Sequence, residues 1–412
     1  MCIYNNMSKV IKKCIGRGLL LVFVLCQFIL FGFTENNSDN LYSYQWGLKN
    51  SGSFFVPRTI LANSHIPFYF DKAVNDQMFF DTKDTVDYLR TIGNTSYVAY
   101  AVENFDTNWE NGYAYFKTIP AARDAIIAVI DTGVDVNHFE LKESIWINHD
   151  EIPNNGIDDD NNGYIDDYNG YNFHHKNGNV FVDPKIDVHG THAAGIMVAK
   201  HDNAGIKGIA YDRNVKVMPL KVLDANENGY VSSVVAAINY ARDNGASICN
   251  LSLGSYKYEE SIDNAIKNSP NMIFVVSAGN GANFNGYSLD EKDVYPAKLN
   301  YPNLITVSNV CFDAERYVSA NYGSYVDVFA PGTFILSTTP SDNFAYLTGT
   351  SMAAPFVAAT CAMIYSRFPK VPLELYKTII INGATPVSKL MGLSKSTGML
   401  NICNSLIMAS TF

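Results

Sequence analysis

A doubly wound, mainly parallel β-sheet flanked by helices is the fold this α/β chain predicts, and three observations predict it. The 412 residues are 47% hydrophobic and 17% charged, enough apolar material to bury a large core within one α/β domain. Several short stretches are continuously apolar and β-branched rather than alternating, as in strands buried on both faces of a parallel sheet. Stretches of helical spacing separate them, and strand alternating with helix is the order a parallel sheet requires.

Taken in order, the chain begins with Lys9, Lys12, Lys13 and Arg17 ahead of an apolar run over residues 19–33, a basic region and then a hydrophobic one, as in an export signal. The run is short for a membrane span, which needs about 20 apolar residues. Yet Gly32-Phe33-Thr34 is a poor cleavage sequence. Residues 1–34 therefore read as either a cleaved signal peptide or a retained membrane anchor. Both readings place the chain outside the cell, secreted or tethered at its surface. A polar linker over residues 35–41 leads into an N-terminal segment, residues 42–120, that contains Gln45-Trp46-Gly47-Leu48 and is rich in aromatic residues. The domain over residues 121–408 carries the alternation. Residues 125–130 read as a buried strand, followed by further strands at 215–223, 248–253, 272–276, 304–309 and 326–329. Residues 232–244, stopped by Gly245, and 259–268 read as helices between them, and 373–381 and the end of the chain as closing helices.

The formal net charge of −10 argues against a phosphate-binding surface, so no nucleic-acid partner is expected. Of seven cysteines, Cys2, Cys14 and Cys26 lie in the leader. Cys249, Cys311, Cys361 and Cys403 lack the close spacing of a disulfide or zinc framework. There is no internal repeat, and a monomer is expected.

Four stretches carry candidate chemistry. In Gly349-Thr350-Ser351-Met352-Ala353-Ala354-Pro355 a serine precedes small apolar residues that read as the start of a buried helix, where alone Pro355 is tolerable. Such a serine is ordinarily a cap. The same N–H groups favour negative charge, so an oxyanion formed beside Ser351 would be stabilised. Asp187-Val188-His189-Gly190-Thr191-His192 places two histidines at a helix start without the carboxylate that zinc-protease helices carry between theirs. His189 then reads as a general base, with His192 as support. Asp131-Thr132-Gly133 ends the first strand, where open α/β sheets build their sites. Finally, Asp158, Asp160, Asn162, Tyr164 and Asp166, with a glycine turn at Gly163, match the opening of an EF-hand-type Ca²⁺ loop. The twelfth position is Asn169 and not Glu, so further ligands must come from Asp167 or elsewhere, such as Glu151.

Asp131, His189 and Ser351 stand in the chain order Asp, His, Ser. Through Asp131-Thr132-Gly133-Val134-Asp135, His189-Gly190-Thr191-His192-Ala193-Ala194-Gly195 and Gly349–Pro355, the chain resembles the subtilases, the subtilisin-like serine peptidases, over roughly residues 123–406. The resemblance implies a subtilisin-like fold and a serine endopeptidase acting on proteins or peptides. Ser351 would be the nucleophile, His189 the base, Asp131 its orienting carboxylate and Asn280 of Ser277-Ala278-Gly279-Asn280 an oxyanion donor. It further implies that Ser252, Leu253 and Gly254 receive an extended peptide, and that Gly254, Ala278 and Gly279 line the pocket for the residue before the cut. A structural Ca²⁺ is implied at the acidic loop, and a second at Glu140 and Asp202, the latter in the loop over residues 200–206. Two departures stand out. The stretch between the leader and Tyr44 is short, so no inhibitory prodomain is expected, and the chain carries a long aromatic insertion, residues 52–117, expected to pack near the cleft and narrow specificity. Rival readings are a processing peptidase with one dedicated substrate and a non-catalytic peptide-binding homologue. The intact Asp131, His189, Ser351 and Asn280 argue against the latter.

Overall fold

The computed structural model describes residues 41–412 except 73, 74, 77, 78, 94, 225, 227, 283 and 284; the leader over residues 1–34 lies outside the described residues. The N-terminal segment contributes strands β1 (Phe55–Pro57), β2 (Phe68–Tyr69) and β3 (Val98–Tyr100) and helices α1 (Arg58–Asn63), α2 (Lys83–Ile92) and α3 (Trp109–Thr118). β1 and β3 pair antiparallel, and Thr82 starts α2 by accepting the N–H of Thr85.

The central sheet follows, with strands β4 (Ala125–Asp131), β5 (Tyr171–Asn172), β6 (Val215–Lys221), β7 (Ile248–Leu251), β8 (Ile273–Ser277), β9 (Leu304–Val310) and β10 (Val328–Pro331) all parallel. Helices α4 (Val188–Val198), α5 (Val231–Asp243) and α6 (Glu260–Lys267) connect them. A hairpin of β11 (Ile335–Thr339) and β12 (Asn343–Leu347) then leads into α7 (Thr350–Arg367), and α8 (Tyr376–Gly383), β13 (Thr385–Pro386), β14 (Gly398–Met399) and α9 (Ile402–Ala409) close the chain. The strand order is β13-β14-β10-β9-β8-β7-β4-β6-β5. The chain builds outward to β6 and β5 on one side of β4 and to β7 through β10 on the other, so the order reverses at β4. The carboxyl end of that strand is where an open sheet leaves a crevice.

Continuous apolar strands are explained by two cores. Ile127 and Val129 of β4 and Ile273 and Val275 of β8 face one cluster with α4 and α7; Ala128, Ile130, Phe274 and Val276 face the other with α5 and α6. All six expected strands form, with ends displaced by one or two residues. The hairpin and the two-residue β5 were not expected. Ser337, Thr338 and Thr339 on β11 have no apolar run to announce them, and the turn is made by Ser341 and Asp342, both at positive φ, without a glycine.

The insertion joins the first core. Phe79, fully buried, packs edge-on against Phe334, and Phe54 lies against Phe312. β2 pairs with β12 as the third strand of the hairpin sheet, and Ser64 accepts the N–H of Thr348 through its carbonyl at 2.8 Å. These contacts lie behind the serine stretch. At the other end, α3 packs on α9, where a Cβ on Gly112 would meet the Cys403 nitrogen at 2.9 Å.

Candidate active site

The carboxyl end of β4 delivers Asp131, which is 1% exposed. Its carboxylate meets His189 Nδ1 at 2.8 and 2.9 Å and accepts the Thr132 N–H at 2.7 Å. A carboxylate can only accept, so Nδ1 carries the proton and the partly exposed imidazole keeps Nε2 as its basic nitrogen. His189 is the second residue of α4, and close backbone approach there depends on Gly190, whose Cβ would meet the Gly133 oxygen at 2.2 Å.

His192, expected to assist, does something else. It is fully buried and donates through Nε2 to the carbonyls of Ile335 and Ala345, at 3.0 and 3.1 Å, which pins α4 to the hairpin. Burial pulls its pKa down to about 3, so it stays neutral.

Ser351 differs from its expected place by one step. The helix begins at Thr350 with Gly349 at the cap position, so Ser351 lies inside the first turn and is not its cap. Its backbone N–H is then among those with no acceptor in the helix. Pro355 has no N–H to give the carbonyl of Ser351, which lies four residues earlier; Ser252 Oγ donates to that carbonyl instead, at 3.0 Å. Ser351 Oγ in turn donates to the Ser252 carbonyl at 3.2 Å, so the serine loop and the end of β7 are tied in both directions.

Asn280 follows β8. Its Oδ1 accepts the Thr350 N–H at 3.2 Å, which orients the side chain and leaves Nδ2 as a donor beside the serine loop. The Gly279 N–H donates to Thr350 Oγ1 at 3.1 Å and fixes the same junction. Thus Ser252, Leu253 and Gly254, and Ala278 and Gly279, emerge from adjacent strands on the same side as Asp131. Sequence reading missed Val294 and Asn321: a Cβ on Gly279 would meet Asn321 Nδ2 at 3.0 Å and Val294 Cγ1 at 3.3 Å, and one on Gly254 would meet Val294 Cγ1 at 3.5 Å. Both lie on loops with no motif to mark them.

The acidic loop is arranged differently from the expected ligand list. Carboxylate oxygens of Glu151, Asp160 and Asp167 lie within 4.8 Å of one another and could hold a metal ion. Glu151 Oε2 is buried with no partner, and burial, reinforced by Asp167 and Asp160, pushes its carboxyl up. Such a set of oxygens suits a hard cation. Asp158 instead accepts the N–H groups of Asn162 and Gly163, and Asp166 those of Asn155 and Gly156. Asn162 bridges Asp160 and Asp167 through Nδ2, while the ring of Tyr164 packs on Tyr171 and Tyr240. These four residues shape the loop around the cluster.

At the second expected site, Glu140 is 1% exposed. Its Oε1 accepts the Ile206 N–H, its Oε2 is buried without a partner, and burial beside Asp202 raises its pKa to about 8. Asp202 itself accepts the Ala204 N–H and lies 3.6 Å from Lys200 Nζ. Gln45 brackets the loop, accepting from Lys207 N and donating to Lys207 O.

The family model described as the subtilase family matches residues 122–399. The chain belongs to the subtilase family. Among curated relatives, the subtilase chain is 33% identical to the thermophilic serine proteinase of Bacillus sp. (strain AK1), covering 68% of this chain and 66% of that protein. It is 33% identical to thermitase of Thermoactinomyces vulgaris (59% and 75%) and to the cell wall-associated protease of Bacillus subtilis (strain 168) (65% and 26%). The chain therefore spans just under two thirds of the first and about a quarter of the last. A crystal structure of a cold adapted subtilisin-like serine proteinase superposes with a TM-score of 0.52 at 24% identity, covering 68% of this chain and 91% of that one, in agreement on the subtilisin-like fold.

Proposed function

We propose that this subtilase is a serine endopeptidase that cuts proteins or peptides through an acyl-enzyme, with Asp131, His189 and Ser351 as its triad. The observation that carries this reading is the paired contact of the buried Asp131 carboxylate with His189 Nδ1, which fixes the tautomer a general base needs. His189 takes the Ser351 proton during attack and returns it to the leaving amine; Asp131 stabilises the imidazolium without becoming protonated. The tetrahedral oxyanion receives Asn280 Nδ2 and the Ser351 N–H. An extended substrate runs along Ser252, Leu253 and Gly254, with Gly254, Ala278 and Gly279 around the side chain before the cut.

Structural Ca²⁺ is the cation we assign to Glu151, Asp160 and Asp167, and to the Glu140 and Asp202 loop, supported in each case by a buried carboxylate oxygen with no partner. When bound, it cross-links loops by neutralising carboxylates that otherwise repel. Residues 1–34 serve as a signal or anchor, residues 35–41 as linker, and residues 42–120 lead into the peptidase domain over 121–408, which acts outside the cell. Incubation with a peptide library in Ca²⁺ should yield cleavage products that vanish in Ser351→Ala and His189→Ala. Products unchanged in either variant would refute the assigned roles, and a single cleaved sequence would identify a dedicated processing peptidase.

A further inference from the structure

Lys221, the last residue of β6, is a lysine at the end of an otherwise buried strand, and it is 1% exposed. Its ammonium meets Asp187 Oδ1 at 2.8 Å, and Asp187 is fully buried. The other two donors go to the carbonyls of Thr132 and Leu223. A buried ion pair seldom adds stability over an apolar pair of equal volume, because desolvation offsets the attraction. Its placement therefore matters more than its energy. Asp187 immediately precedes α4 and lies two residues before His189, while Thr132 directly follows Asp131.

Asp187 stands at a helix cap position and yet makes no capping bond. Its Oδ2 instead accepts the N–H groups of Val182, at 2.6 Å, and Asp183. Gly133 is bare on that side: a Cβ there would lie 2.7 Å from Asp187 Oδ1. Thr132 completes the closure by accepting the Gly190 N–H at 3.1 Å, and the Asp131 carbonyl accepts the N–H of Val222, next to Lys221.

We propose that Lys221 and Asp187 are positioning residues that clamp the Asp131 turn to the start of the His189 helix, and so set the contact between the two side chains. The proposal rests on the triad reading. Neither residue touches substrate; the pair fixes the relative placement of two elements that approach from different directions. Misplacing reacting groups by about 1 Å can cost about a hundredfold in rate.

The experiment compares Lys221→Met, Asp187→Asn and the double variant in full-length protein. Breaking the pair singly leaves a buried charge alone, so the single variants should melt early. The double variant removes both charges and should regain most of the melting temperature. Per active site counted with a fluorophosphonate, its kcat should fall about tenfold to a hundredfold with KM changed less than about twofold. The proton resonance of the His189 Nδ1–H should shift in parallel. A double variant with wild-type kcat per titrated site and an unshifted resonance would overturn the clamp. So would a single variant that melts early but is fully active per titrated site. Failure of the triad reading looks different: the unmodified enzyme would then neither label nor turn over.

Discussion

Ser351, Asp131 and His189 stand out in the sequence as candidate residues because each sits in a motif whose residue types have a chemical reason. Their surroundings do not. The substitute for the missing Pro355 N–H comes from Ser252, 99 positions earlier in the chain, and no local pattern announces a bond of that range. His192 shows the same limit: beside His189 it reads as an assistant, while the carbonyls that claim it belong to a hairpin 143 and 153 residues away. With Asn280 in its proposed role as oxyanion donor, Asn280→Ala should lower kcat by about 10²–10³ with little change in KM, because charge on the oxyanion develops only in the transition state. His192 is held at about 3 by burial, below its ordinary 6.5, so the unfolded chain takes up that proton first. Its contribution is complete above about pH 6.5 and is lost as pH falls towards 3, by up to about 1.4 kcal/mol per pH unit. His192→Gln should flatten the fall in urea midpoint between pH 6.5 and 4. The slope should not vanish, because His201, brought down to about 4 by burial, has the same sign.

Among the elements, the parallel strands were readable because burial on both faces leaves no polar alternation. The hairpin of β11 and β12 was not, because β11 carries polar residues that are buried through bonds to α4: Ser337 Oγ donates to the His192 carbonyl and Thr338 Oγ1 to that of Thr191. α7 is apolar on nearly every side and runs beneath β4, β7, β8 and β9, so it can only be a core helix. The insertion was expected to pack near the cleft and narrow specificity; the packing seen is against the first core and the hairpin, on the side of Thr348. Its aromatic residues fill the core shared with the hairpin, and Ser64 supports Thr348, three residues before Ser351. Phe79→Ala should therefore destabilise the protein by about 3–5 kcal/mol in denaturant unfolding, as for a core aromatic. A loss below about 1 kcal/mol would show that the insertion is only a surface cover.

For the whole molecule, fold class and family followed from three motifs on an alternating scaffold, and Asp167 and Glu151 were named from sequence as further ligands beside Asp160, whereas the side-chain bonds that hold Asp158, Asn162 and Asp166 within the loop required the folded chain. Asp160 of the loop, with Glu151 and Asp167 from positions on either side of it, forms the cluster. Removal of Ca²⁺ by chelation should lower the melting temperature, and restoring it at about 100 times its dissociation constant should return about 2.7 kcal/mol per site. Asp160→Ala should abolish the binding step assigned to Glu151, Asp160 and Asp167 in calorimetry and leave the Glu140 step. The proposed peptidase activity depends on Ser351 being a nucleophile activated by His189 and Asp131. Its most direct test is reaction of the folded, calcium-loaded protein with a fluorophosphonate, followed by peptide mapping. One label per chain is expected, on Ser351, lost in Ser351→Ala and slowed strongly in His189→Ala; no label, or a label on another residue, would rule that role out.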